Sequence, residues 1–210
     1  VNRQPLDIDA AVESDGPAFG LTNAELAERP TVYRDDLLDG KVVLVSGGGT
    51  GIGKAIAFLA ARLGADVAIC GRTDSKLEEA RDAIAASTGR EPLIAAMSIR
   101  EPEAVEQLLD TVHDRFGRLD TVVNNAGGQF PQDAIDFSRK GWSAVIDLNL
   151  NGTWWMMQEA ARRWRYKGVG GNIVNIVAHV ERGMPKRLTA AQLAPVLSTS
   201  RRPSRPNGLR

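Results

Sequence analysis

Eight consecutive residues, Ser46-Gly47-Gly48-Gly49-Thr50-Gly51-Ile52-Gly53, include five glycines. A segment of this kind acts through its backbone. Glycine permits a tight turn and lets a bulky anion approach the N–H groups with no Cβ in the way. Where such a loop opens a helix, the first N–H groups are unpaired and carry partial positive charge, which suits a pyrophosphate. The spacing Gly47-x-x-x-Gly51-x-Gly53 lengthens the first turn relative to the G-x-G-x-x-G pattern. Gly47, Gly49, Thr50, Gly51, Ile52 and Gly53 are therefore the candidate phosphate-binding residues.

A second candidate lies about 20 residues beyond the loop, where a dinucleotide site selects its cofactor. An acidic residue there would bind a ribose 2′-hydroxyl. This chain has Gly71-Arg72-Thr73 instead. A guanidinium matches a phosphate through bidentate, charge-assisted bonds, so Arg72 points to NADP(H) rather than NAD(H).

The elements that must position these residues are legible on either side. The run Val42-Val43-Leu44-Val45 reads as a strand buried on both faces. After the glycines, Ile52, Ala55, Ile56, Leu59, Ala60 and Leu63 recur at helical spacing, and Gly64 follows. The alternation continues with a strand over 66–70, a helix over 74–87 stopped by Gly89, a strand over 93–97 and a helix over 101–116 with Pro102 in its first turn. A strand over 120–124 comes next. A long helical stretch over 141–165, interrupted near Asn151–Gly152, precedes a strand over 172–177. Five strand–helix alternations predict an α/β fold with a doubly wound parallel sheet of the Rossmann type. Residues 1–38 read as an acidic, loose arm, with a short helix over 23–28 capped by Thr22 or Asn23. Residues 39–185 form the dinucleotide-binding domain.

Together with the glycine loop, Asn124-Asn125-Ala126-Gly127 after the fourth strand resembles the short-chain dehydrogenase/reductase family. The resemblance covers about residues 38–185. Gly127-Gly-Gln-Phe130, Lys140-Gly-Trp142, Asn149-Leu-Asn-Gly-Thr-Trp154 and Gly171-Asn-Ile-Val-Asn-Ile176 look most like its trans-2-enoyl-CoA reductase branch. That likeness implies hydride transfer from NADPH to an enoyl thioester. It implies that Asn125, Ala126 and Gly127 border the cofactor and that Ser98 and Ile99 lie at its adenine end. Asn149 matches the family asparagine that holds a water in the proton relay, which makes it the catalytic candidate. A small-molecule substrate, with an acyl-CoA thioester as one case, is implied, and the parent enzyme is expected to be a homo-oligomer. A ketone or alcohol dehydrogenase would suit the same cofactor site, as would a non-catalytic dinucleotide-binding module.

The family's serine, tyrosine and lysine are not matched. Its serine position falls on Ala178, with His179 beside it. Tyr166 precedes the fifth strand and is followed directly by Lys167, so it is not the tyrosine of a Tyr-x-x-x-Lys pair. Its expected role is an exposed aromatic at a helix end. The sheet is expected to be C-terminally incomplete and this chain weak or inactive.

Residues 186–210 are basic and rich in proline and serine. They hold six Lys or Arg and no acidic residue, while the whole chain is neutral. A disordered arm that contacts nucleic acid or an acidic partner is one reading. The preferred reading is a frameshift. Codons can be chosen for 186–210 that, one frame over, spell AAHSGAARAGVVYLSKTVATEWAP, which looks like the continuation of the enoyl-CoA reductase branch. A start at Val1 is consistent with a raw translation or a fragment. No nucleic-acid partner is expected.

Composition excludes other classes. With 43% hydrophobic and 25% charged residues, the 210-residue chain has the balance of a globular domain. Cys70 is the only cysteine and His113 and His179 the only histidines, so no disulfide and no cysteine- or histidine-rich metal centre is expected. No apolar run is long enough to span a membrane and no leader pattern opens the chain. A cytoplasmic location is the expectation.

Overall fold

A computed structural model describes residues 20–128 and 136–177. In chain order the elements are α1 (Asn23–Glu28), β1 (Val42–Ser46), α2 (Gly51–Arg62), β2 (Asp66–Gly71), α3 (Asp74–Thr88), β3 (Leu93–Ala96), α4 (Pro102–Phe116), β4 (Thr121–Asn124), α5 (Arg139–Ile146), a π-helical segment Asp147–Gly152, α6 (Thr153–Lys167) and β5 (Asn172–Asn175). All strand pairs are parallel, in the order β3-β2-β1-β4-β5. The fold is the doubly wound α/β sheet that the alternation predicts. Its order reverses between β1 and β4, and such sheets bind ligands at the carboxyl ends of the strands beside that switch point.

The apolar run of β1 follows from its place at the centre of the sheet. Val43 and Val45 face a core shared with α1, α2 and α3, through Leu26, Phe58, Leu77 and Ile84. Val42 and Leu44 face the opposite core, shared with α4 and α6, through Val105, Leu109, Met156 and Trp164. With both faces covered, alternation disappears and Val42 to Val45 are all apolar. Each of these side chains contributes about 1.5–3 kcal/mol by burial. Single chemical features end the helices: Gly89 and Gly117 terminate α3 and α4 in the left-handed conformation, and Pro102 opens α4.

Three sequence expectations change in detail. The buried face of α2 is Gly53, Ala57, Phe58, Ala60 and Ala61, and Ile52 is 65% exposed. The first turn of α2 starts at the carboxyl edge of the sheet, where the described residues leave Ile52 largely open, while α1 and α3 flank the later turns and widen the buried arc to Phe58. The helical stretch after residue 138 is unbroken at Asn151–Gly152. The chain instead widens into a π turn over Asp147–Gly152 and continues as α6. The expected strand over 93–97 ends at Ala96, and β5 ends at Asn175.

Of the stretch read as a loose arm, residues 20–38 are described. There α1 has a capping box, with Thr22 and Glu25 each bonding the other's backbone N–H. Asn23 bonds Lys54 and Glu79, the Arg62 guanidinium donates to Leu26 C=O (2.9 Å), and Leu26 is buried. This short helix is therefore packed onto α2 and α3. Ala178, His179 and the basic tail lie outside the described residues.

Candidate functional site

The site begins at Ser46, the last residue of β1, which is fully buried. Its hydroxyl accepts the N–H groups of Asn125 (3.1 Å) and Ala126 (3.0 Å) and donates to Val123 C=O (3.4 Å). The Asn125 side-chain amide donates back to the carbonyls of Ser46 (3.1 Å) and Gly47 (3.2 Å). The ends of β1 and β4 are thus laced together across the switch point. On the other side, Gly47 N–H and Gly48 N–H both reach Cys70 C=O, at 2.8 and 3.3 Å. The glycine loop is fixed from both flanks, which lowers the ordering cost of binding a ligand.

Geometry requires several of the loop glycines. Gly47 and Gly51 have φ of +67° and +54°, a conformation that disfavours a side chain, and a Cβ on Gly48 would run into the Ile69 side chain. A Cβ on Gly53 would run into Gly47 C=O and the Asn125 amide. Only a bare backbone lets α2 start this close to the β1–β4 lacing. Thr50 is the N-cap of α2, yet its side chain makes no capping bond. The first helical bond runs from Lys54 N–H to Thr50 C=O (3.1 Å). The N–H groups of Gly51, Ile52 and Gly53 precede that bond and form the positive end of the helix.

An open pocket of about 250 Å³ runs along the carboxyl ends of the strands. Gly47, Gly49 and Thr50 line it after β1, and Cys70, Gly71, Arg72, Thr73, Lys76 and Leu77 at and after the end of β2. Met97, Ser98 and Ile99 line it after β3, Ala126 and Gly127 after β4, and Leu148 from the π segment. Burial pushes the Cys70 thiol up to about 12, against the opposing effect of the Gly47 N–H. Cys70 is thus a neutral wall and not a nucleophile. The Ser98 hydroxyl accepts Arg100 N–H (3.3 Å) and Arg100 Nε (3.4 Å), which fixes the turn after β3.

Asn149 sits in the π segment. Its Nδ2 donates to Gly128 C=O (2.7 Å) and Val145 C=O (2.9 Å), and its Oδ1 accepts Gly128 N–H (3.1 Å). Both amide protons are engaged, and one lone pair of Oδ1 remains. The wider turn gives Asn149 this double grip, and π turns recur at functional sites for such reasons.

Of the candidates from sequence, Gly47, Gly49, Thr50, Arg72, Ser98, Ile99, Ala126 and Gly127 line one pocket. Gly53 and Asn125 stand behind it, and Gly51, exposed, turns the chain into α2. Ile52 is exposed and outside the pocket lining, and Asn149 acts on Gly128. Ser46, Thr73, Lys76 and Leu148 were missed. A signal for Ser46 existed, as the one polar residue closing an otherwise apolar strand. Tyr166 is 92% exposed at the end of α6, as its sequence position implied.

A preformed glycine cradle, an uncapped helix start and a switch-point pocket fit a dinucleotide. The profile of the short chain dehydrogenase family matches residues 41–188. The chain belongs to that family. Family members bind a nicotinamide dinucleotide. A peroxisomal 2,4-dienoyl-CoA reductase of Danio rerio is 36% identical over 147 residues, covering 70% of this chain and 49% of that protein. A probable 2,4-dienoyl-CoA reductase of Bacillus subtilis is 36% identical over 166 residues, covering 78% of this chain and 65% of that protein. These relatives agree with the enoyl-CoA reductase branch indicated by the motifs. Among solved structures, a citronellol catabolism dehydrogenase of Pseudomonas aeruginosa matches with a TM-score of 0.72 and 35% identity, covering 78% of this chain and 66% of that one. The chain therefore spans about half to two-thirds of the length of these relatives. Among the described residues, no helix is long and apolar enough to cross a membrane.

Proposed function

We propose that this short-chain oxidoreductase binds NADP(H) and derives from an NADPH-dependent reductase of an unsaturated acyl-CoA thioester. The observation that carries the cofactor reading is the laced glycine loop with Arg72 in the lining of the same pocket. In this reading, the loop around Gly47, Gly49 and Thr50, with the first N–H groups of α2, holds the pyrophosphate. Arg72 meets the 2′-phosphate. Ser98 and Ile99 border the adenine, and Ala126 and Gly127 form the wall toward the nicotinamide, with Asn125 supporting them from behind. Bound NADPH supplies a hydride. Asn149 positions the Gly127–Gly128 backbone and keeps an acceptor for a water.

The thioester assignment draws on the 2,4-dienoyl-CoA reductase names of the relatives. The citronellol catabolism dehydrogenase favours a second reading, an alcohol or ketone substrate at the same site. Reduction of either class needs a proton donor beside the hydride acceptor. The 210 residues contain no tyrosine followed four residues later by lysine, and Ala178 stands at the family's serine position. We therefore propose that this chain binds its cofactor and turns over weakly or not at all. NADPH oxidation, followed by absorbance with crotonyl-, decenoyl- and dienoyl-CoA, tests this. Turnover near background is expected, and robust turnover would overturn the proposed inactivity. Turnover with a ketone and none with any thioester would overturn the substrate class.

A further inference from the structure

We propose that Lys76 is a second determinant of cofactor choice, which reads the 2′-phosphate of NADP(H) together with Arg72 and the Thr73 hydroxyl. The proposal rests on the dinucleotide reading above and deepens it. Arg72, Thr73 and Lys76 line the same end of the pocket, where β2 passes into α3. The first turn of α3 is held against the phosphate loop: a Cβ on Gly49 would lie 3.2 Å from the Lys76 carbonyl carbon and oxygen and 3.4 Å from Leu77 Cδ2. Leu77 is 1% exposed and anchors that turn in the core. Lys76 is thus fixed by its backbone at the rim of the pocket.

Its side chain is uncommitted. Lys76 has no ion-pair or hydrogen-bond partner among the described residues, whereas Lys54, Arg81, Arg90, Arg118, Arg162 and Arg163 are all paired with carboxylates. The acid one turn further along, Glu79, is engaged by Asn23 and Lys54. Asp74, in the same first turn, does not line the pocket. Thr73 is the N-cap of α3, and its hydroxyl makes no capping bond, so it too is available. A phosphate monoester carries close to two negative charges near neutral pH, with three acceptor oxygens. One guanidinium neutralises about half of that charge. An ammonium and a hydroxyl from the next turn supply the remaining cation and a further donor.

The test is calorimetric titration of the full chain with 2′,5′-ADP and with 5′-ADP, for the native protein, Lys76→Gln and Lys76→Arg. A solvent-exposed ion pair to a phosphate sets the scale. Lys76→Gln is expected to weaken 2′,5′-ADP roughly five- to tenfold, to leave 5′-ADP unchanged and to flatten the salt dependence. Lys76→Arg is expected to restore most of the loss. If the native chain prefers 2′,5′-ADP and Lys76→Gln keeps the full preference, the Lys76 proposal fails while the NADP(H) reading stands. Equal weakening of both ligands also refutes it, because it indicates a general effect on the loop. If the native chain shows no preference between the two ligands, both readings fall. Circular dichroism of each variant checks that the exposed substitution leaves the fold intact.

Discussion

Replacing Ser46 by alanine removes one buried oxygen and strands two donors. The N–H groups of Asn125 and Ala126 both end on Ser46 Oγ, at 3.1 and 3.0 Å, and have no other acceptor among the described residues. A buried donor left unpaired costs about 1–3 kcal/mol. Asn125 and Ala126 are only part-buried, so some water relief is available, and the low end of that range, about 1–1.5 kcal/mol, applies to each. The expected loss is about 2–3 kcal/mol of stability. For a chain of this size that lowers the melting temperature by roughly 4–12 °C. Urea unfolding, monitored by tryptophan fluorescence, gives the midpoint and slope. The midpoint should fall with the slope unchanged, since the loss is local. Cofactor affinity should fall as well, although Ser46 does not line the pocket, because the β4 flank of the loop then keeps only the Asn125 amide bonds to the Ser46 and Gly47 carbonyls. A Ser46→Ala variant within about 0.5 kcal/mol of the native protein, the range of an inert surface change, would refute the lacing argument.

Asn149→Ala removes all three bonds that hold Gly128 and Val145. Amide exchange at Gly127 and Gly128 should quicken while that in β1 and β2 stays protected, and uniform protection would show that the grip is idle. His113 offers a pH test. Burial first, and then the nearby Lys167 and Arg163 charges, lower its pKa from the ordinary value of 6.5. Lys167 Nζ lies 3.0 Å from Nδ1, a contact that needs the neutral ring, and Nε2 is buried without a partner among the described residues. The folded state binds the proton less readily than the unfolded state. Its contribution to stability is therefore complete above about 6.5 and is lost as pH falls below that value. His113→Gln should flatten the urea-midpoint profile between about pH 7 and 5, and an unchanged slope would contradict the assignment.

The sequence showed most of the frame because its signals were local. The Val42–Val45 run, the helical spacing from Ile52 to Leu63, Gly89 as a helix stop and Pro102 in a first turn each declare an element without reference to anything distant. The glycine loop and Arg72 were visible for the same reason, being parts of one βαβ unit. Ser46 escaped notice because its partners lie 79 and 80 residues away and its role exists only after β1 and β4 pair. Phe58 and Ile52 exchanged places because burial on α2 depends on α1 and α3 as well as on the sheet. The packing of α1 was invisible in composition, since an acidic six-residue helix is stable only through Leu26 and the Asn23–Lys54–Glu79 contacts. The π turn was half-legible: a disturbance was expected at Asn151–Gly152, but its form depends on Asn149 meeting Gly128.

The pocket at the carboxyl ends of β1 to β4 is proposed to hold NADP(H). Fluorescence titration of the full chain with NADPH and with NADH, on the native protein and Arg72→Gln, measures this directly. Saturable binding is expected, tighter for NADPH, and Arg72→Gln should reduce the preference roughly tenfold or more through the loss of charge-assisted bonds to phosphate. Equal affinity for the two cofactors would contradict the role of Arg72. No binding of either at millimolar concentration would contradict the central claim.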